Sequence, residues 1–389
     1  MSHNNNEIEI KLILNHLKQD VSNQNLKDNV ALSLDNHDKA IFRDFFYNFK
    51  KLPNYQVLKN ENLTLNNLYF DTETQELYKN GIALRVRVQN NDCEMTIKTK
   101  AKTNVSGVHV HPEYNIALES LPKVPNLSLF PNEIFTDMMN KGYSFKQLQR
   151  DIFNNMGQKC EREILLLKEK STNAEIELSL DFVQYQTQDK GIKRATELEL
   201  ELKQGSPLEL YKLLELIVAD FEKINTTVKA RVSGISKMFT AAIYAGISKL
   251  PTVDVLKVST IPELIKAKDA MEAELFIKPN NESVANLTKF LKETSSEVFL
   301  KTLKNSGAEF SDAEQSYLKN FVSFATKVLN EIVAINESTK VTLNKESSNK
   351  ELTDDSLILL KDVQNLYLKH VSNKDLILSE VAYGISKLR

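Results

Sequence analysis

Two short runs concentrate ionisable residues at a spacing that chemistry could use. Near the start, Asn6-Glu7-Ile8-Glu9-Ile10-Lys11-Leu12-Ile13 carries charge on alternate residues, and an extended strand turns Glu7, Glu9 and Lys11 to one face. Further on, Glu197-Leu198-Glu199-Leu200-Glu201-Leu202 sets three carboxylates against three leucines. Carboxylates ranged side by side repel one another unless a cation sits among them. The two runs together predict a metal site built on the walls of a sheet.

Other strand-like runs carry the opposite charge. In Gly81-Ile82-Ala83-Leu84-Arg85-Val86-Arg87-Val88, Arg85 and Arg87 share a face, and in Glu94-Met95-Thr96-Ile97-Lys98-Thr99-Lys100 so do Lys98 and Lys100. Arg162 alternates with the apolar Ile164 and Leu166, which marks it as placed by the fold. Glu175, Glu177, Ser179 and Asp181 form one polar face. Any one of these strands is most simply the wet face of an antiparallel sheet. As a set they segregate, with acids on the first and last strands and bases on the middle ones. Curled into a barrel with these faces inward, they would line a lumen suited to a linear polyphosphate. Guanidinium and ammonium groups would neutralise the phosphate oxygens, and carboxylates would hold divalent cations that bridge them. Hard oxygen ligands favour Mg²⁺ or Mn²⁺ over zinc.

The elements that must position these residues follow from periodicity. Alternation of period two predicts strands near 7–14, 63–71, 81–89, 93–101, 108–118, 160–168, 174–183 and 195–203, with helices near 37–51 and 207–223. The proline-marked stretch 120–150 reads as an irregular excursion with one short helix. Beyond Ile261 the period lengthens, and helices are expected over 261–277, 281–304, 312–335, 354–370 and 374–388, with a Ser311/Glu314 capping box before the third and a loop over 336–352. At 389 residues the chain suggests two domains, 1–249 and 250–389. The fold class is α+β: an antiparallel sheet system with flanking helices, a closed antiparallel barrel if its charged faces turn inward, followed by an all-α domain. A net charge of -2 argues against coating nucleic acid through bulk positive charge. No apolar run approaches membrane-spanning length, and no signal-peptide pattern opens the chain, so a cytoplasmic protein is expected. Cys93 and Cys160 read as reduced thiols, without zinc-finger spacing. No obligate protein partner is evident.

These blocks resemble, in order, the CYTH or triphosphate tunnel metalloenzyme superfamily. The resemblance rests on Glu7-x-Glu9-x-Lys11, Tyr69-Phe70-Asp71-Thr72, the Gly81–Arg87 and Glu94–Lys98 runs, His111-Pro112-Glu113-Tyr114-Asn115, Arg162, Glu177 with Asp181, the Glu197–Glu201 run and Ser236-Lys237. It covers roughly residues 7–240 and is strongest toward bacterial inorganic triphosphatases. It implies that Lys11, Arg85, Arg87, Lys98 and Arg162 grip a triphosphate, with Arg231 a further candidate for the basic wall. Glu7 and Glu9, with two of Glu197, Glu199 and Glu201, would hold two metal ions. Glu113 and Asp181 would be further acidic lumen residues, and Lys237 would approach the scissile phosphate. The implied reaction is attack by a metal-activated water on a terminal phosphorus, with pyrophosphate leaving.

The pattern is departed from twice. His111 stands where arginine is common in the family, and Met238-Phe239-Thr240 replaces the usual Arg-Gly-aromatic sequence in the segment expected to plug the tunnel. His109 and His111 read as surface residues and Tyr69 as packing. The C-terminal half occupies the position of a CHAD domain but lacks its histidines and basic excess, which suggests a diverged relative. Other chemistries on this scaffold are thiamine triphosphate hydrolysis, RNA 5′-triphosphate hydrolysis and cyclisation of ATP; no aromatic shelf for them is visible in the sequence. A non-catalytic polyphosphate sensor is the alternative from another class.

Overall fold

A computed structural model describes residues 3–17, 36–90, 92–100, 103–105, 107–224, 228–252, 254–280, 282–304, 310–339 and 354–388. Among these residues the strands are β1 (His3–His16), β2 (Tyr55–Asp71), β3 (Ile82–Gln89), β4 (Asp92–Thr99), β5 (Thr103–Val105), β6 (Val108–Leu118), β7 (Phe153–Glu169), β8 (Glu175–Gln186), β9 (Ile192–Gln204) and β10 (Val228–Val232). They pair antiparallel in the order β1-β9-β8-β7-β2-β3-β4-β6, and β6 pairs back onto β1, so eight strands close into a barrel. One edge of β1 is shared: its first part, to Ile10, pairs with β6, and its second part, from Leu12, pairs with β10. All eight strands expected from alternation are present.

Alternation separates the two faces of the wall. Ile10, Leu12, Leu178, Leu180, Leu198 and Leu200 point outward and are fully buried. They are covered by α1 (Asn36–Asn48), whose Phe42, Phe45 and Phe46 pack on them, and by Leu210, Leu213 and Leu214 of α5 (Pro207–Ile224). The outer face of β3 and β4, with Leu84, Val86, Met95 and Ile97, is covered by the 120–150 excursion through Leu127, Phe130, Phe135 and Met138. That excursion holds more helix than one short segment: two 3₁₀ turns precede α3 (Thr136–Asn140) and α4 (Phe145–Asp151), and a further turn of helix, α2 (Glu76–Lys79), precedes β3.

The chain then returns through α6 (Lys237–Tyr244) to a helical region of α7 (Ile261–Phe276), α8 (Ser283–Thr294), α9 (Glu297–Lys304), α10 (Asp312–Thr339), α11 (Asp354–Val371) and α12 (Lys374–Ser386). Thr260 caps α7 with a capping box to Glu263, and the Ser311/Glu314 box closes as expected. The single helix expected over 281–304 is broken at Ser295-Ser296. The Ser295 hydroxyl bonds back to the Leu291 carbonyl, and the Ser296 hydroxyl accepts from the Phe299 amide, so the serines end one helix and cap the next. The loop expected over 336–352 lies largely outside the described residues; its first residues extend α10. The region has its own core around Tyr317, Phe290 and Phe321, while Ile377, Leu378, Val381 and Ile385 of α12 join the apolar cluster on the barrel. Among the described residues no helix is long and apolar enough to cross a membrane.

Candidate active site in the barrel lumen

The inward faces of the strands enclose a cavity of about 1380 Å³. Register brings the two acidic runs together, with Glu9 opposite Glu201 and Lys11 opposite Glu199 across the β1–β9 pair. On β8, Glu177 stands opposite Glu201, and Asp181 lies between Arg162 of β7 and Glu197 of β9. Beyond Arg162 the wall continues through Tyr69 opposite Arg85, and Lys98 opposite Glu113. Glu7, Glu9, Lys11, Arg85, Arg87, Lys98, Glu113, Arg162, Glu199, Glu201 and Lys237 all line the cavity, with Lys100 at its edge.

One side of the lumen is a compact ion cluster. Arg162 forks onto Asp181, Nε to Oδ1 at 2.7 Å and Nη2 to Oδ2 at 2.5 Å, and its Nη2 also reaches Glu199 at 2.8 Å. Lys237 donates to the same two carboxylates, at 2.5 and 2.6 Å. Lys11 donates to the Ile235 carbonyl and sits 3.6 Å from Glu197, which also accepts from the Tyr185 hydroxyl at 3.1 Å. Burial alone would raise the carboxyls of Asp181 and Glu199, but the adjacent cations outweigh it and hold both below their usual range. Asp181 and Glu197 are buried behind this cluster and do not line the cavity.

The facing side is less compensated. Arg85 gives Nη2 to Thr96 at 3.1 Å and stands 3.8 Å from Glu113, while its buried Nε has no hydrogen-bond partner. Arg87 donates to the Asn67 side-chain oxygen at 2.9 Å. Burial and the neighbouring Arg85 and Arg162 lower its pKa to about 10. These are guanidinium groups held out of water without a full complement of acceptors, the condition of a wall built for an anion. Lys98 binds Glu7 and stands 3.8 Å from Glu113. Burial works to raise Glu7, yet Lys98 prevails and keeps it low.

The carboxylate excess centres on Glu9. Burial, with Glu7 and Glu199 close by, pushes its pKa up to about 8, and no ion pair forms at Glu9 among the described residues. Burial and Glu7 also raise Glu201, against the pull of Lys203 at 2.7 Å. Among the described residues no three acidic, imidazole or thiolate groups already converge into a metal cage: Glu7, Glu199 and Glu201 are each engaged by a lysine or arginine. The donor chemistry nevertheless fits a hard divalent cation, which would give counter-charge to Glu9, raised by burial and then by Glu7 and Glu199.

Several expectations need revision. Arg231 does not face the lumen; it pairs with Glu272 of α7 at 2.5 Å, because β10 leaves the barrel edge toward the helices. His109 and His111 are not surface residues. Both line the cavity, since they lie opposite Glu9 and Glu7 in the β1–β6 pairing. His109 donates Nε2–H to the Ser233 carbonyl at 3.0 Å, and burial beside Lys11 lowers it to about 4, so it is neutral. His111 donates Nδ1–H to the Thr99 carbonyl at 3.0 Å. Tyr69 is buried but lines the lumen. The helix after Ser236 forms despite Met238-Phe239-Thr240, with Ser236 as its N-cap. Phe239 stacks on Tyr78, ring centres 5.8 Å apart, and both line the cavity. Strand alternation could not reveal that pair, because the two rings come from helices α6 and α2.

A closed eight-stranded barrel lined by segregated bases and acids is the class of protein this site defines. The CYTH domain family model matches residues 44–232 of this chain. An inorganic triphosphatase from Haemophilus influenzae is 27% identical over 168 residues, 43% of this chain and 44% of that protein, so the match spans less than half the relative's length. Among solved structures, the Hippeastrum protein HpAC1, described as having a dominant triphosphatase activity, superposes with a TM-score of 0.40 at 20% identity, covering 63% of this chain and 98% of that one. The PH1819 protein of Pyrococcus horikoshii gives 0.28 at 12% identity, covering 54% and 88%.

Proposed function

We propose that the barrel binds an elongated triphosphate and hydrolyses its terminal phosphoanhydride bond, with inorganic triphosphate as the substrate and pyrophosphate and phosphate as products. The observation that carries this reading is the lumen wall of Arg85 and Arg87, under-supplied with acceptors, facing the carboxylate excess around Glu9. A simple anion pocket has no use for carboxylates that repel its ligand, whereas a phosphate-hydrolysing site needs both signs. The name of the Haemophilus relative supports inorganic triphosphate in particular.

On this reading Arg85, Arg87 and Lys98 hold the phosphate oxygens and fix their spacing. Lys237 and Arg162, positioned by Asp181, offer fixed positive charge where negative charge accumulates on the bridging and departing oxygens. Lys11 extends that wall. Glu7, Glu9, Glu199 and Glu201 would hold Mg²⁺ or Mn²⁺, with Glu7, Glu199 and Glu201 exchanging their present cation partners for it, and such an ion supplies charge neutralisation and an activated water. Glu197 and Asp181 act from behind as anchors for the lysines and Arg162. Residues 1–249 then form the tunnel domain and 250–389 a helical partner packed on it.

A second reading, an organic triphosphate, is favoured by the stacked Tyr78–Phe239 pair on the cavity wall, which offers a ring face to a base or thiazolium. The deciding experiment measures phosphate release from triphosphate, ATP and thiamine triphosphate with Mg²⁺ or Mn²⁺, beside Glu201→Gln. Turnover of triphosphate that Glu201→Gln abolishes is expected. Binding without turnover would replace the enzyme reading by a sensor, and cyclic AMP from ATP would replace it by a cyclase.

A further inference from the structure

Lys237 reaches the lumen from a short strap, Ser233-Gly234-Ile235-Ser236, which joins β10 to α6. In this four-residue connector the Ser233 amide continues the β1 ladder onto the Lys11 carbonyl at 3.1 Å, and the residues after it need other partners if the lysine is to stand within 2.6 Å of two carboxylates. Three side chains from three elements hold the connector. Lys11 of β1 donates to the Ile235 carbonyl, and His109 of β6 donates to the Ser233 carbonyl. The third comes from outside the barrel: Asp269 of α7 accepts from the Gly234 amide, N to Oδ1 at 3.2 Å. The approach is close: a Cβ at position 234 would lie 2.2 Å from Asp269 Oδ2, so a side chain there would displace the carboxylate.

We propose that Asp269 is a positioning residue for the lumen: by holding the Gly234 amide it fixes the strap that delivers Lys237, and so makes α7 of the helical region part of the triphosphate site. It touches no reacting atom and acts through the strap alone. Its other neighbours are consistent with an anchor. Lys268 lies 4.0 Å away on the same helix, and Glu272 of α7, Arg231 of β10, Glu380 of α12 and Tyr317 of α10 lie within electrostatic range. Asp269 thus stands between a buried charge network and the Gly234 amide, while the Ser233 amide donates to the Lys11 carbonyl at 3.1 Å and the Ile235 amide to the Ser233 hydroxyl at 3.3 Å. It also borders the cavity, with Lys266 and Ala270 of the same helix.

The inference rests on the proposed triphosphate site, and its test separates the two. Hydrogen exchange of the full-length protein without ligand is compared for wild type, Asp269→Ala and Asp269→Asn. Loss of one charge-assisted hydrogen bond should speed exchange of the 233–237 amides about tenfold in Asp269→Ala while the barrel strands keep their protection, and Asn, which retains an acceptor oxygen, should restore most of it. Unchanged strap exchange, or an equal rise throughout the barrel, overturns the proposal whatever the substrate. The second measurement is tripolyphosphate binding by titration calorimetry in a double-mutant cycle with Lys237→Ala. Asp269→Ala should weaken binding about fivefold in the wild-type background and less than about twofold once Lys237 is gone. Equal losses in both backgrounds show that Asp269 does not act through Lys237 and overturn the proposal. If the wild-type protein binds no tripolyphosphate, the site assignment fails, and the exchange result still decides whether Asp269 fixes the strap.

Discussion

The molecule buries two clusters of opposite charge that are alike in composition and differ in what lies beside them. In the lumen, Lys11, Arg162 and Lys237 meet Asp181, Glu197 and Glu199. Between barrel and helices, Arg231 and Lys268 meet Glu272 and Glu380, with the Tyr367 hydroxyl on Glu272 at 3.0 Å. Burial even pushes one acid in each region, Glu9 and Glu380, up to about 8. What separates them is access. The lumen cluster borders a large cavity with under-supplied guanidiniums on its far wall, whereas Arg231, Lys268, Glu272 and Glu380 line no part of that cavity. A buried charge network by itself is a packing device, and often a costly one. The open, two-signed wall is what makes the first cluster a site for chemistry.

The comparison is broken most directly by removing one charge from each cluster. Lys237→Ala should lower triphosphate turnover by a factor on the order of a hundred to a thousand, as expected when a fixed charge at a developing anion is lost, and should lower the melting temperature less than a change in the helical cluster does. Glu272→Gln should do the reverse. It strands Arg231 and leaves Lys268 with Glu380 at 3.4 Å, at an interface where both cations are buried, and about 3 kcal/mol of unfolding free energy should go, read from urea or thermal unfolding, while the surviving folded protein binds tripolyphosphate as before. A large loss of affinity in Glu272→Gln would mean that the two networks are one. Arg87→Ala comes next. Its guanidinium holds Asn67 alone among the described side chains, so its loss should weaken tripolyphosphate binding about tenfold with little change in stability.

How much of this was legible beforehand follows from the same contrast. Strand alternation carries its information within a few residues, so the inward set Glu7, Glu9, Lys11, Arg85, Arg87, Lys98 and Glu199 could be read directly from Ile8-Glu9-Ile10 and its counterparts. The pairing that makes β1 share one edge between β6 and β10 is long-range and left no local mark. That is why Arg231, on a five-residue strand with charge beside it, read as lumen wall, and why His109 and His111 read as surface. The helical cluster was invisible for a related reason: Lys268 and Glu272 are an ordinary i,i+4 pair on a solvent-facing pattern until β10, α11 and α12 close over them. The helix break at Ser295-Ser296 was passed over because two serines inside an amphipathic run do not interrupt its period.

The finest test of the comparison uses the two raised carboxylates. The folded pKa of Glu9 is about 8 against an ordinary 4.5, so between those values the folded protein keeps a proton that the unfolded chain releases. Stability therefore falls as pH rises through that window, and above it the full cost of the crowded charge is carried. Glu9→Gln removes the cost. In metal-free buffer the variant should match wild type near pH 4.5 and gain on it up to pH 8 and above, by an amount on the order of 2 kcal/mol, followed by thermal melts across that range. Glu380→Gln should show the same direction of pH response, since its acid is raised by the same burial. The two part company when Mn²⁺ or Mg²⁺ is added. A divalent cation in the lumen gives Glu9 the counter-charge it lacks, so wild type should recover stability at pH 8 and Glu9→Gln should not, whereas Glu380, closed off from the cavity, should leave the metal response intact when replaced. Equal metal responses in wild type and Glu9→Gln would show that the carboxylate excess is not a metal site, and would leave the lumen distinguished from the helical cluster by its phosphate-facing arginines alone.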